Sequence, residues 1–159
     1  MPISLEERIE KSTLVFEGKV LSQRSYWDTG KQHIYTANII QVYKVFKGKL
    51  IGSQVEVITR GGTVGDEMEV VSHTLELSAN EVGVFTTIPH TVKLTRATNL
   101  ARVKAYSGAQ GFIKYDRGSS SAKDIFTNYK SIAADVYPRI QKLTKASFKT
   151  LSNPDFKIK

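Results

Sequence analysis

The sequence predicts a mostly β fold, β with added α, that ends in a helical C-terminal third. Three observations carry this: the long alternation from His33 to Phe46, the clean apolar–polar alternation of Gln54 to Thr59, and a change to helical spacing after Gly118. At 159 residues and 40% hydrophobic content the chain has enough apolar material for one core, so a single domain is expected over 1–159.

The chain opens on Ser4-Leu5-Glu6-Glu7, a capping box in which Ser4 and Glu7 satisfy each other's backbone N–H groups. Glu6 and Glu7 stand at the positive end of the helix dipole, and the helix is expected to end near Ser12. Leu14 to Leu21 reads as the first strand, and Gly18 within it predicts a bulge that curls the strand around a small barrel. Asp28 and Gly30 supply turn chemistry before the second and longest strand. The third strand is Gln54 to Thr59. A glycine-rich loop from Gly61 to Asp66 precedes a fourth strand over Glu67 to His73, and a fifth runs from Val82 to Ile88. Shorter strands are expected over 91–118, around Val92 to Leu94, Leu100 to Tyr106 and Phe112 to Tyr115.

From 119 to 147 the spacing of Ile125, Tyr129, Ile132, Val136, Ile140 and Leu143 defines one helical stripe, expected to break just before Pro138 because proline lacks an N–H. The tail, 148–159, is expected to be extended.

Composition excludes several classes. The chain has no Cys, which removes disulfides and thiolate zinc sites. The apolar runs are interrupted by Gln41 and Lys44, so no membrane span is expected, and Met1-Pro2-Ile3-Ser4 does not begin a signal peptide. The net charge of +8 is uneven: residues 1–90 hold 9 Lys/Arg against 11 Asp/Glu, while 91–159 hold 14 against 4. Either the basic third meets an anionic partner, with Lys142, Lys145 and Lys149 as its contacts, or its lysines only keep the domain soluble.

Four aromatics, Tyr26, Trp27, Tyr35 and Tyr43, gather around the second strand and the loop before it, and Tyr35 and Tyr43 share parity and hence a face. They form either a stacking platform for a ligand or a packed core with Trp27 over the barrel end. Asp66 and Glu67, next to three glycines, are the donor types a Ca²⁺ ion takes, although the loop does not match an EF-hand and reads equally as a plain turn. His33, His73 and His90 have no metal-ligand spacing, and Ser119 to Ser121 has no neighbouring base, so no cofactor and no enzymatic activity are expected.

Leu14-Val15-Phe16-Glu17-Gly18-Lys19-Val20, the strand end Val45-Phe46-Lys47-Gly48, and Val55-Glu56-Val57-Ile58-Thr59 with Gly61-Gly62 resemble the netrin-like or tissue-inhibitor-of-metalloproteinase-like OB barrel. The resemblance implies an OB-like five-stranded barrel over 3–90, with a short N-terminal helix and a C-terminal helical appendage. Ser25-Tyr26-Trp27-Asp28, Ile34-Tyr35-Thr36 and Ile58-Thr59-Arg60-Gly61-Gly62 are similar to N-terminal regions of secreted Bacteroidetes proteins, some carrying a matrixin-type protease and a type IX secretion sorting domain. That likeness implies an extracellular or cell-surface accessory module binding a protein or glycan. Its alternatives are a pro-region or intramolecular chaperone of a downstream zinc metalloprotease domain, and a binder of anionic polymers. Inhibition through an N-terminal Cys does not carry over, and no H-E-x-x-H is present. Nucleic acid is disfavoured as a partner because the aromatics lie in the slightly acidic part of the chain.

Overall fold

A computed structural model describes all residues, Met1–Lys159. The protein is mostly β, and its main sheet closes into a ring. The first helix, α1 (Leu5–Lys11), starts where the capping box places it: Ser4 Oγ accepts the Glu7 N–H at 3.1 Å. Three strands then form an antiparallel meander, β1 (Leu14–Trp27), β2 (Ile34–Lys47) and β3 (Gln54–Arg60). A small hairpin, β4 (Gly62–Val64) with β5 (Glu67–Glu69), forms a sheet of its own that packs against β1 and β2.

The chain returns as β6 (Val82–Pro89), antiparallel to β1, and β7 (Arg102–Ala105), which pairs with both β6 and β3. The ring therefore runs β1-β2-β3-β7-β6 and back to β1. Its closing seam, β3 to β7, is parallel and only two residue pairs long, Glu56 with Arg102 and Val57 with Val103. A 3₁₀ turn (Gly108–Gly111) then leads to β8 (Phe112–Asp116), β9 (Ser121–Lys123) and β10 (Asn128–Tyr129), which extend the sheet outward from β6.

This topology corrects the expected barrel. The fourth ring strand is not Glu67–His73, and the ring is not complete within 3–90, because β7 lies in the stretch expected to hold only additional strands. The physical reason is local. Gly61 and Gly62, at φ +89° and +143°, turn the chain out of the ring, and β5 pairs only with β4 across the Gly65-Asp66 turn. Beyond it His73 is left-handed at φ +57°, which ends extended structure. Val92 to Leu94 supplies one isolated bridge, Asp28 with Leu94.

Both faces of the ring are packed, which explains the continuous apolar run in β1. One face points into the ring, where Phe16, Val20, Ile40, Val42, Val55, Val57 and Phe85 are fully buried. Phe85 stacks on both Phe16 and Phe112, with centroids 5.1 and 4.5 Å away. Leu75 and Leu77 belong to this cluster. The other face, with Val15, Tyr43, Val84, Ile113 and Tyr115, lies under the C-terminal part of the chain. The register against β2 shifts between Glu17 and Gly18, but the extra residue there is Tyr43 of β2; the extra residue of β1 itself is Leu21, and Gly18 faces Gly83 of β6.

The C-terminal third departs from the expected helix over 119–147. Residues 121–123 and 128–129 are strands, and Ile125 is 56% exposed rather than on a buried stripe. Ala122 and Tyr129 are buried instead, as alternating strand residues. Helix begins only at Ile132, as a π-helical turn (Ile132–Val136) that runs directly into α2 (Tyr137–Thr144). The expected break before Pro138 is thus a change of helical type: the Tyr137 N–H reaches back to Ile132 O, and Pro138, at the start of α2, needs no donor. Ile132, Val136 and Ile140 are fully buried against the sheet, and each such side chain contributes about 1.5–3 kcal/mol. The tail is largely extended, docked through β11 (Lys149–Thr150) on β2 and through Phe156 and Ile158 on the core. No helix is long and apolar enough to cross a membrane.

Candidate functional site

A groove of about 590 Å³ lies on the outer face of the meander, between β1, β2, β3 and the loop that joins β6 to β7. Strand alternation makes its floor: Ser22, Arg24 and Tyr26 of β1 stand opposite Ile39, Ala37 and Tyr35 of β2. Its far wall is the loop segment Arg96 to Leu100.

That wall is held in place by a charge pair on the closing seam. Arg102 Nε donates to Glu56 Oε2 at 2.7 Å, with the two side chains 15% and 7% exposed. The same guanidinium donates to Arg96 O at 2.7 Å and Val92 O at 3.4 Å. One arginine therefore ties the loop to the barrel. Within the groove, Arg96 Nη1 donates to Tyr26 Oη at 3.0 Å, and the Arg24 guanidinium lies 5.7 Å from the Tyr26 ring centroid.

Two of the four expected aromatics, Tyr26 and Tyr35, meet at this end of the ring, while Trp27 alternates to the other face of β1. Tyr26 and Tyr35 are direct cross-strand partners, both half-buried. Both pack on Ala37, Ile58 and Leu94, and the Tyr35 ring meets His90 edge-on at 5.9 Å. Trp27, also half-buried, carries Lys31 Nζ 5.6 Å from its ring centroid. Tyr43 does not belong with them. It shares the outer parity, but it is only 4% exposed because the docked tail covers it, with Phe156 edge-on at 5.8 Å. Burial and the Asp155 charge raise its hydroxyl pKa. It is a core residue.

Asp66 and Glu67 are both exposed in the β4–β5 turn, and no group of three or more His, Cys, Asp or Glu converges anywhere in the chain. The nearby acid, Glu69, is occupied: it accepts from the Ile34 N–H at 2.6 Å and bonds His33 Nδ1 at 2.8 Å. Those hydrogen bonds, His33 first, hold the Glu69 carboxyl below its ordinary range. The loop carrying Asp66 and Glu67 is thus the turn and first strand residue of the β4–β5 hairpin.

His33 and His90 line a second cleft of about 610 Å³ with Arg60, Lys104 and Tyr35, so two of the three histidines come together although the sequence separates them. Ser119 and Ser121 bond each other at 2.6 Å, and Ser120 Oγ accepts the Lys159 N–H. Lys142, Lys145 and Lys149 are exposed around one groove of about 830 Å³, whose lining also includes Glu6 and Glu10.

Sequence reasoning missed Arg24, Arg96 and the Glu56–Arg102 pair. Arg24 had a signal, since it shares strand parity with Tyr26. Arg96 had none, because its loop is distant in sequence from the strands it covers. No protein-family model matches the chain, and no curated protein matches it.

Proposed function

We propose that this chain is a non-catalytic binding module built on an OB-like barrel of the netrin-like or tissue-inhibitor-like kind, and that it takes a protein or glycan ligand in the groove beside Tyr26. The OB-like reading is supported by the ring order: a three-stranded meander closed by two later strands in reverse order, β7 then β6, is a Greek-key plan on five strands. OB barrels bind ligands on the face of their second and third strands, between the loop after the first strand and the loop before the last. The groove shares part of that address: its floor is β1 and β2, and it is walled by Glu56 of β3 and the β6–β7 loop.

The single observation that carries the reading is the loop wall fixed by Arg102 against a half-buried tyrosine, because a site held by packed, hydrogen-bonded neighbours loses little entropy on binding. By its likeness to secreted accessory regions, the module acts outside the cell or at its surface.

The test is backbone NMR of the whole chain titrated with a panel of oligosaccharides and peptides. Shifts confined to 22–26, 37–39 and 96–100 are the expected result. Shifts centred on 142–149 would move the site to the lysine groove, and hydrolytic turnover abolished by one substitution would replace the module with an enzyme.

A further inference from the structure

We propose that the groove is specific for acidic saccharides, with Arg24, over the Tyr26 ring, and Arg96, at the Tyr26 hydroxyl, binding a sugar carboxylate. This rests on the binding-module reading above and names its ligand class. Two guanidinium groups meet one tyrosine here, Arg24 over the ring and Arg96 at the hydroxyl, and neither forms an ion pair with any carboxylate of the chain. The one acid lining the groove, Glu56, is already neutralised by Arg102 at 2.7 Å. Unligated, the two like charges gain nothing from each other. A planar carboxylate between them gains hydrogen bonds from two forks whose geometry matches it.

Arg96 is positioned before any ligand arrives. Its Nη1 is engaged by Tyr26 Oη, and its carbonyl by Arg102 Nη2. Its Nε and Nη2 donors have no protein acceptor and remain for a ligand. The half-buried Tyr26 is the one aromatic side chain that lines the groove. Ser22, Thr98 and Asn99 add hydroxyl and amide groups of the kind that pair with sugar hydroxyls.

The same features weigh against a nucleic-acid strand. A strand needs cations spaced along a track and successive aromatic platforms for its bases. In this groove the two unpaired cations stand at one tyrosine, and the remaining lining is neutral or apolar apart from the paired Glu56.

The experiment is calorimetric titration of the full chain with three probes: a galacturonate hexamer, a glucose hexamer and a twelve-nucleotide thymidine strand. The galacturonate hexamer is expected to bind tightest. R24Q and R96Q should each weaken it roughly tenfold, the worth of one charge-assisted hydrogen bond, and R24K or R96K should restore part of the loss. Both arginine side chains are exposed, so circular dichroism of the variants should match the parent. Equal binding of the two hexamers in the groove, unaffected by R24Q and R96Q, overturns the acidic specificity and leaves the binding module standing. Galacturonate binding lost in K142Q/K145Q/K149Q but retained in R24Q/R96Q overturns both. Tighter binding of the thymidine strand also overturns the saccharide assignment.

Discussion

Tyr115 donates its hydroxyl to Glu17 at 2.6 Å, joining β1 to β8 through a carboxylate with no exposed surface. Tyr137, at the start of α2, donates to the same oxygen, and Lys44 Nζ approaches the other at 3.3 Å. Burial first, and then the Glu17 charge, pushes both tyrosine hydroxyls far above the ordinary tyrosine range, so both stay protonated as donors. The cluster is the polar bolt between the ring and its helical cover.

Removing the carboxylate leaves three donors without a partner in a buried place. Glu17→Leu is expected to lower stability by about 3–5 kcal/mol in urea unfolding, the loss typical of a broken buried pair. Tyr137→Phe removes one hydroxyl while Tyr115 and Lys44 remain, and should cost about 1–2 kcal/mol. A Glu17→Leu protein as stable as the parent would show that the cluster does not hold the cover.

Gly83 tests the strand crossing. A Cβ there would stand 2.0 Å from Ile113 O and 2.6 Å from the Phe112 ring, and neither has room to move within the ladder. Gly83→Ala should cost about 3 kcal/mol, at the upper end of ordinary overpacking. Gly65, with φ +59° and nothing within 4 Å of its Cβ position, should lose only about 1 kcal/mol on the same change, from the backbone alone. Equal melting temperatures for the two variants would contradict the crossing.

The N-terminal helix is attached by a second buried pair. Arg8 Nη2 lies 3.1 Å from Asp124 Oδ2, with the two side chains 5% and 1% exposed, and Arg8 also donates to Gln110 O. Arg8→Met should destabilise by about 3 kcal/mol or more, since Asp124 is left buried and charged. The Lys19–Asp155 pair is its control: Asp155 is 63% exposed, and Asp155→Asn should leave the unfolding midpoint nearly unchanged.

His90 sets a pH dependence. Its pKa is lowered, mainly by burial and further by Lys104 and Arg102, and its Nδ1 accepts the Val92 N–H at 3.1 Å, which requires an unprotonated nitrogen. The unfolded chain therefore takes up a proton near the ordinary histidine value of about 6.5 while the folded chain resists it. Stability should fall as pH drops from that value toward the folded pKa and should stop responding to His90 below it. An NMR titration of His90 with its midpoint at or above 6.5 would contradict the burial argument, and His90→Gln should flatten this part of the profile.

The first three strands, β6 and α1 were legible because each is written in local pattern: a capping box, and alternation long enough to leave one period. Residues 119–131 misled because Ile125 and Tyr129 match helical spacing by coincidence, while the strand signal there is only three and two residues long. Tyr26 and Tyr35 could be grouped from sequence, but the cover over Tyr43 could not, since Phe156 lies far along the chain. Glu17 shows the same limit. Its partners Tyr115 and Tyr137 lie 98 and 120 positions away, beyond any local pattern.

The two-pair seam between β3 and β7 has a kinetic meaning. A cylinder opens first at its shortest joint, so amide protons along 102–105 should exchange through a partial opening, earlier than those of the long β1–β2 ladder. Arg102 lies on that joint and also holds the loop that walls the groove. Anything seated in the groove therefore acts as a latch on the cylinder: occupancy slows the opening, and a loosened joint weakens occupancy by the same factor.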